Sequence, residues 1–201
     1  MEILAIGAHP DDVELGCGGT LARHVKEGDR VRVVFLTKGE VGGDPSIRIK
    51  ESKEAIRVLG VESPIFGNLS DTFIHDSIKQ TIDLIEYYVD KFSPDRVYTH
   101  STKDRHQDHV GASIATQAAC RNVSEILMYE TPATFAEFSP QVYINIEGTL
   151  DLKVKALRSH STQKNKYYMR AKAIKGLAEF RGFQANLKAA EAFEVARVIY
   201  K

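Results

Sequence analysis

His9, Asp11 and Asp12 stand together in Ala8-His9-Pro10-Asp11-Asp12, directly after the apolar run Ile3-Leu4-Ala5-Ile6-Gly7. An imidazole beside carboxylates suits zinc and similar divalent ions. Neighbouring residues diverge at a strand end, so Asp11 and Asp12 are expected to do different work. One can hold a metal while the other faces water. The same residues also suit a plain turn, because Asp is a turn former. A second group, His106-Gln107-Asp108-His109, lies about a hundred residues on. Two histidines three apart share one face of a helix. A catalytic zinc site keeps three protein ligands and an open position for water, whose proton a nearby carboxylate can take. Two His, one Asp and spare Asp and His groups fit that pattern. The bland alternative for the second group is a polar helix start, with Asp108 favoured by the helix dipole.

Both groups need a frame that brings them together. A short strand is expected over 2–7, a helix over 20–27 stopped by Gly28, and a second strand over 31–36. The loop over 37–44 carries three glycines. A helix over 46–59 ends at Gly60, and Pro64-Ile65-Phe66 is a third strand. Ile78, Ile82, Ile85, Val89 and Phe92 mark a helix over 76–92, ended by Ser93-Pro94. A fourth strand covers 96–100. The next helix is expected over 104–120, with Asp104 and Gln107 as a capping box. Strands over 126–129, 142–146 and 192–200 and helices over 150–157 and 167–180 complete the order. This alternation predicts an α/β, Rossmann-like fold: a mainly parallel sheet with helices on both faces. One domain over 1–201 is the simplest division, with residues from about 130 to 201 either part of it or a less regular appended lobe. Right-handed crossovers bring the first and fourth strands together at a switch point, where ligands bind in such sheets.

Composition narrows the function. Of the 201 residues, 27 are Lys or Arg and 27 are Asp or Glu, so no basic field for nucleic acid is present. No apolar run spans a bilayer and no secretory signal is visible. Cys17 and Cys120 form no CxxC pair, which suits a reducing, cytoplasmic setting. Gly16-Cys17-Gly18-Gly19 reads as a tight turn packing under the site. It lacks the last glycine of a dinucleotide fingerprint, and the acidic pair before it would repel a pyrophosphate.

These motifs resemble the PIG-L/LmbE family of zinc-dependent deacetylases acting on N-acetylglucosamine-type groups. The likeness rests on Ala8-His9-Pro10-Asp11-Asp12, Gly16-x-Gly18-Gly19 and His106-x-Asp108-His109. Arg48 with Glu51, Asp71, and His160-Ser161-Thr162-Gln163 support it. Gln107 departs from a common Pro, and Val13 from a Glu that many members carry. The resemblance implies His9, Asp12 and His109 as ligands to zinc, with iron(II) an alternative ion. It implies Asp11 as general base and His106 as a positively charged stabiliser of the oxyanion, with Asp108 orienting or charging it. It implies Arg48 and Asp71 as binders of sugar hydroxyls, and assembly as a homo-oligomer. The substrate expected is a small N-acetylated sugar or a conjugate of one. A hydrolase of another small amide, a nucleotide-binding oxidoreductase and a non-catalytic carbohydrate-binding module are the other readings.

Other residues are read more plainly. His24 and His75 are expected at the surface or at helix ends, and Lys164 to Lys175 on a solvated face. His100 ends a strand beside the site. His160 is scaffold or substrate contact, and Arg105 meets either a substrate anion or solvent. Tyr167-Tyr168 lines a pocket or an oligomer contact.

Overall fold

Along the first strand, β1 (Glu2–Gly7), alternate side chains enter two different cores. Ile3 and Ala5 pack with Leu21, Ile56 and Ala156 on one face, while Leu4 and Ile6 pack with Ile85, Ala112 and Ala115 on the other. A strand buried on both faces reads as a continuous apolar run. Each fully buried Leu or Ile contributes about 1.5–3 kcal/mol. The structure is a computed structural model, and it describes residues 1–199.

The elements run α1 (Asp12–Lys26), β2 (Arg30–Phe35), α2 (Pro45–Val58), β3 (Ile65–Phe66), α3 (Ile78–Phe92) and β4 (Arg96–His100) after β1. Then come α4 (Gln107–Ala119), β5 (Glu125–Tyr129), β6 (Val142–Asn145), α5 (Leu150–Arg158), α6 (Ala171–Gln184) and β7 (Ala190–Val198). The sheet order is β3-β2-β1-β4-β5-β7-β6. The first five strands in this order are parallel; β7 runs antiparallel to both β5 and β6. The chain is therefore a single α/β domain with a mainly parallel sheet. Helices α1, α2 and α5 cover one face, and α3 and α4 the other. Residues after 130 contribute β6 and β7 to this same sheet. The last strand ends at Val198, and Tyr200 of the expected strand lies outside the described residues.

Three boundaries differ from expectation for physical reasons. The glycine run is not a turn: α1 starts at Asp12 and passes through it, kinked at Cys17 (φ −141°, ψ 17°). Gly16 is needed for close approach, because a Cβ there would lie 2.1 Å from the Tyr129 ring. The kink orphans backbone groups, and a buried ion pair satisfies them. Lys153 Nζ donates to Leu15 O (2.6 Å), and Glu191 accepts from Gly19 N (2.9 Å) and Thr20 N (2.6 Å). Lys153 and Glu191 meet at 2.5 Å.

The second difference is at α4, which starts at Gln107 with His106 as its N-cap, so Asp104 and Gln107 form no capping box. Asp104 instead accepts from His106 N (2.9 Å) and Thr131 Oγ1 (2.7 Å). The third is the helix expected over 167–180. Tyr167–Met169 is a single 3₁₀ turn, and α6 begins only at Ala171.

Candidate metal centre and catalytic cavity

β1 and β4 are neighbours, and β2 lies on the far side of β1, so the order reverses here. The chain leaving β1 supplies His9, Asp11 and Asp12; the chain leaving β4 supplies Asp104, His106, Asp108 and His109. They meet at the carboxyl ends of both strands, as the topology requires. A cavity of about 250 Å³ opens there. His9, Asp11, Asp12, Arg48, Asp71, His106 and His109 line it. Asp108 lies beneath, fully buried.

Asp12 is the hub of this cluster. His9 Nδ1 stands 3.2 Å from its Oδ2 and His109 Nε2 3.3 Å from its Oδ1. The far nitrogen of each ring faces another carboxylate. His9 Nε2 is 3.0 Å from Asp71 Oδ1 and 3.2 Å from Asp108 Oδ2, and His109 Nδ1 is 3.1 Å from Asp104 Oδ2. Carboxylates behind metal-ligating imidazoles fix ring orientation and raise basicity. Here that arrangement leaves His9 Nδ1 and His109 Nε2 directed at Asp12. Burial disfavours the charged imidazoles, yet the carboxylates win. His9 is raised well above its ordinary value, and His109, through Asp12 and Asp104, up to about 9. A divalent cation among these groups would replace those two protons, which is how such sites couple binding to pH. The donor set of two imidazoles and a carboxylate fits zinc or iron(II).

His9, His106 and His109 also place ring nitrogens within 4.8 Å of one another. His106 nevertheless differs from the other two. Its Nδ1 accepts from Asp108 N (3.2 Å), which puts the proton of the neutral ring on Nε2. A protonated nitrogen donates and does not ligate. Burial, then the charges of His109 and His9, push the His106 pKa down. That shift favours the neutral ring, with its proton on Nε2, over the cation. Asp108 is also placed differently from expectation. Its carboxylate accepts from Thr72 N (2.6 Å) and Ile74 N (3.1 Å) and faces His9, not the His106 ring.

Asp11 sits at the N-cap of α1 with φ 101°, a left-handed conformation uncommon for a residue with a side chain. Its side chain makes no capping bond, whereas Asp12 Oδ2 turns back to accept from His9 N (2.7 Å). That contrast separates the two neighbours. Burial, then the Asp12 charge, raises the Asp11 pKa to about 6. Arg48 Nη2 donates to Pro10 O and stands 3.5 Å from Asp11 Oδ2. The loop over Arg48 uses glycine where its backbone turns left-handed, at Gly39 (φ 67°) and Gly43 (φ 149°). Asp71 accepts from Val41 N (2.9 Å) and faces His9. Arg48 and Asp71 therefore shape the site as well as line it.

His100 is fully buried under the cluster, with Nε2 accepting from Ala8 N (3.1 Å); burial, then His109, pushes it down to about 4. His24 lies in the last turn of α1, at a helix end as expected, but is buried there between Asp29 (2.6 Å) and the Tyr98 hydroxyl (2.8 Å). His160 is buried against Glu14 at 2.9 Å, and Gln163 Nε2 donates to Gly42 O (3.2 Å). Glu51 accepts from Ser161 Oγ (2.6 Å), Thr162 N (2.9 Å) and Thr162 Oγ1 (2.6 Å). This segment braces α1, α2 and the loop over Arg48. Arg105 is exposed, its guanidinium 5.7 Å from the Phe135 ring centre. Sequence reasoning missed Asp104 as partner of His109; its one signal was an Asp five residues ahead of a candidate ligand.

A doubly wound α/β domain with a His- and Asp-rich cavity at its switch point belongs to the class whose ligands sit at strand ends. The chain is a member of the PIG-L family, whose model, described as GlcNAc-PI de-N-acetylase, matches residues 4–120. It is 41% identical over 167 residues to the uncharacterized deacetylase YaiS of Escherichia coli, covering 80% of this chain and 90% of that one. It is 28% identical over 225 residues to 1D-myo-inositol 2-acetamido-2-deoxy-alpha-D-glucopyranoside deacetylase of Mycobacteroides abscessus, covering 80% and 81%. The crystal structure of the conserved protein TT1542 from Thermus thermophilus superposes with a TM-score of 0.89 at 28% identity, covering 100% of this chain and 97% of that one.

Proposed function

We infer that the protein is a metal-dependent hydrolase that removes acetate from an N-acetylated amino sugar or a conjugate of one. The observation that carries this is the division of roles around Asp12. His9 and His109 face it with their far nitrogens turned to other carboxylates, while Asp11 stays free of any capping bond. His9, Asp12 and His109 would hold the ion. A zinc or iron(II) ion bound there supplies a Lewis acid and makes water a better nucleophile at neutral pH.

The remaining chemistry falls to side chains. Asp11, poised at about 6, is mostly ionised at pH 7 and accepts the proton of the attacking water. It then returns that proton to the leaving amine. His106 directs Nε2–H at the developing oxyanion, a donor fixed in place by the Asp108 N–H behind it. Asp108 and Asp71 hold His9 in register. Arg48 braces Pro10 O beside the left-handed Asp11, and its remaining N–H groups and the Asp71 edge offer contacts to sugar hydroxyls.

The deacetylase activities of the relatives support this reading at the level of deacetylation. A cytoplasmic setting and assembly as a homo-oligomer belong to the same proposal; light scattering checks the assembly. No described helix is long and apolar enough to cross a membrane. The direct test measures bound metal and acetate released from N-acetylglucosamine and short conjugates of it. Metal-loaded protein that releases acetate from none of them would overturn the reading.

A further inference from the structure

Four residues, Leu15, Thr131, Pro132 and Tyr168, line both the catalytic cavity and a second cavity of about 180 Å³. The two differ in chemistry. The first carries His, Asp, Arg and Lys side chains around its floor, beside Val41 and Ala133. The second is walled by Ala173, Ile174, Leu177 and Ala178 of α6 and by Ala190 and Ala192 of β7.

Charged residues border the second cavity too, but they are engaged with one another. Lys153 is bonded to Glu191 and Leu15 O, and Glu191 also to Gly19 N and Thr20 N. Arg181 and Glu130 form a two-pronged pair, both bonds 2.7 Å. A sugar entering this space would shed water from its hydroxyls and find few free partners. A hydrocarbon or aryl group would lose nothing and bury apolar surface. The polar part of a substrate therefore belongs in the first cavity and an apolar part in the second.

We propose that this second cavity is a subsite for an apolar group carried by the substrate, either its acyl chain or the aglycone of its sugar. The assignment to a substrate rests on the amide-hydrolase reading; the binding of an apolar group does not.

The test uses the full-length, metal-loaded protein and three compounds: N-acetylglucosamine, N-hexanoylglucosamine and the hexyl glycoside of N-acetylglucosamine. In the wild type, one hexyl-bearing compound is expected to exceed N-acetylglucosamine in kcat/KM by about tenfold or more. A gain on the hexanoyl amide assigns the cavity to the acyl chain; a gain on the glycoside assigns it to the aglycone. Ala173→Phe, which fills the cavity from its half-buried edge, should bring that ratio to about one. Leu177→Ser at an exposed wall position should lower it, and thermal melting confirms that both variants fold. Equal rates on all three compounds, or a gain that survives both substitutions, overturns the proposal. If no compound is hydrolysed, titration with hexyl glucoside decides separately. Saturable binding weakened by Ala173→Phe supports the subsite, and no binding overturns it.

Discussion

Asp104 Oδ2 stands 3.1 Å from His109 Nδ1, on the side of the ring away from Asp12. Asp104 is itself anchored by Thr131 Oγ1 and by His106 N, so it cannot swing away from the ring. Its carboxyl is held down at about 2; burial acts against this, but His109 outweighs it. Asp104→Asn should weaken metal binding by about 10–100-fold without removing a ligand. His109→Ala should abolish it. Competition against a chromogenic chelator ranks the two; equal affinity in Asp104→Asn and wild type would remove Asp104 from the site.

Asp11→Asn tests the proposed base. The amide keeps the shape of the residue but cannot take a proton, so turnover should drop about 10²–10⁴-fold. Bound metal, measured by elemental analysis, should stay at the wild-type level, because Asp11 lies outside the inferred ligand set. Loss of metal together with turnover would instead make Asp11 a ligand.

Gly16→Ala probes the packing of α1 on the sheet. The new methyl would meet the ring of Tyr129, whose hydroxyl donates to Ile6 O (2.7 Å) and fixes it beneath β1. Overpacking of this kind costs about 1–3 kcal/mol, and more where neither partner can yield. Urea unfolding should show a lower midpoint with an unchanged slope.

Glu51 carries a pH signature away from the proposed metal ligands. Burial works against its charge, but bonds from Ser161 and Thr162 win and lower its pKa below 4.5. A depressed carboxylate adds stability above its unfolded pKa, and that stability fades as pH falls through the folded value. Glu51→Gln should therefore be less stable than wild type at pH 7, with the gap closing as pH falls below about 4.5. A constant gap from pH 7 to pH 3 in urea titrations would show that the charge of Glu51 is not what matters.

Much of the frame was legible because β1 and β2 carry apolar, β-branched runs buried on both faces, and β4 has the β-branched and aromatic Val97, Tyr98 and Thr99. The two His- and Asp-bearing segments could be placed at strand ends for the same reason. The start of α1 was not legible. Gly16, Gly18 and Gly19 each weaken a helix by about 1 kcal/mol relative to Ala, so local propensity favours a turn. The features that hold the helix together there, Tyr129, Lys153 and Glu191, lie more than a hundred residues away. Asp104 failed for a related reason: it matches a capping box locally, while its actual partners include Thr131 and His109. Asp108 was assigned to its sequence neighbour His106, but its carboxylate reaches across the fold to His9 and the loop at Thr72 and Ile74.

The kink at Cys17 also orders events in time. Glu191 reaches Gly19 and Thr20 across 172 and 171 residues, and it sits on a strand inserted between β5 and β6. Such distant closure is slow, because a long loop must be ordered before any contact rewards it. During synthesis the proposed metal ligands of the first dozen residues emerge early, yet the helix behind them stays unbraced until β7 arrives. Metal capture by a nascent chain should accordingly be weak, and competence for it should appear only with the last strand.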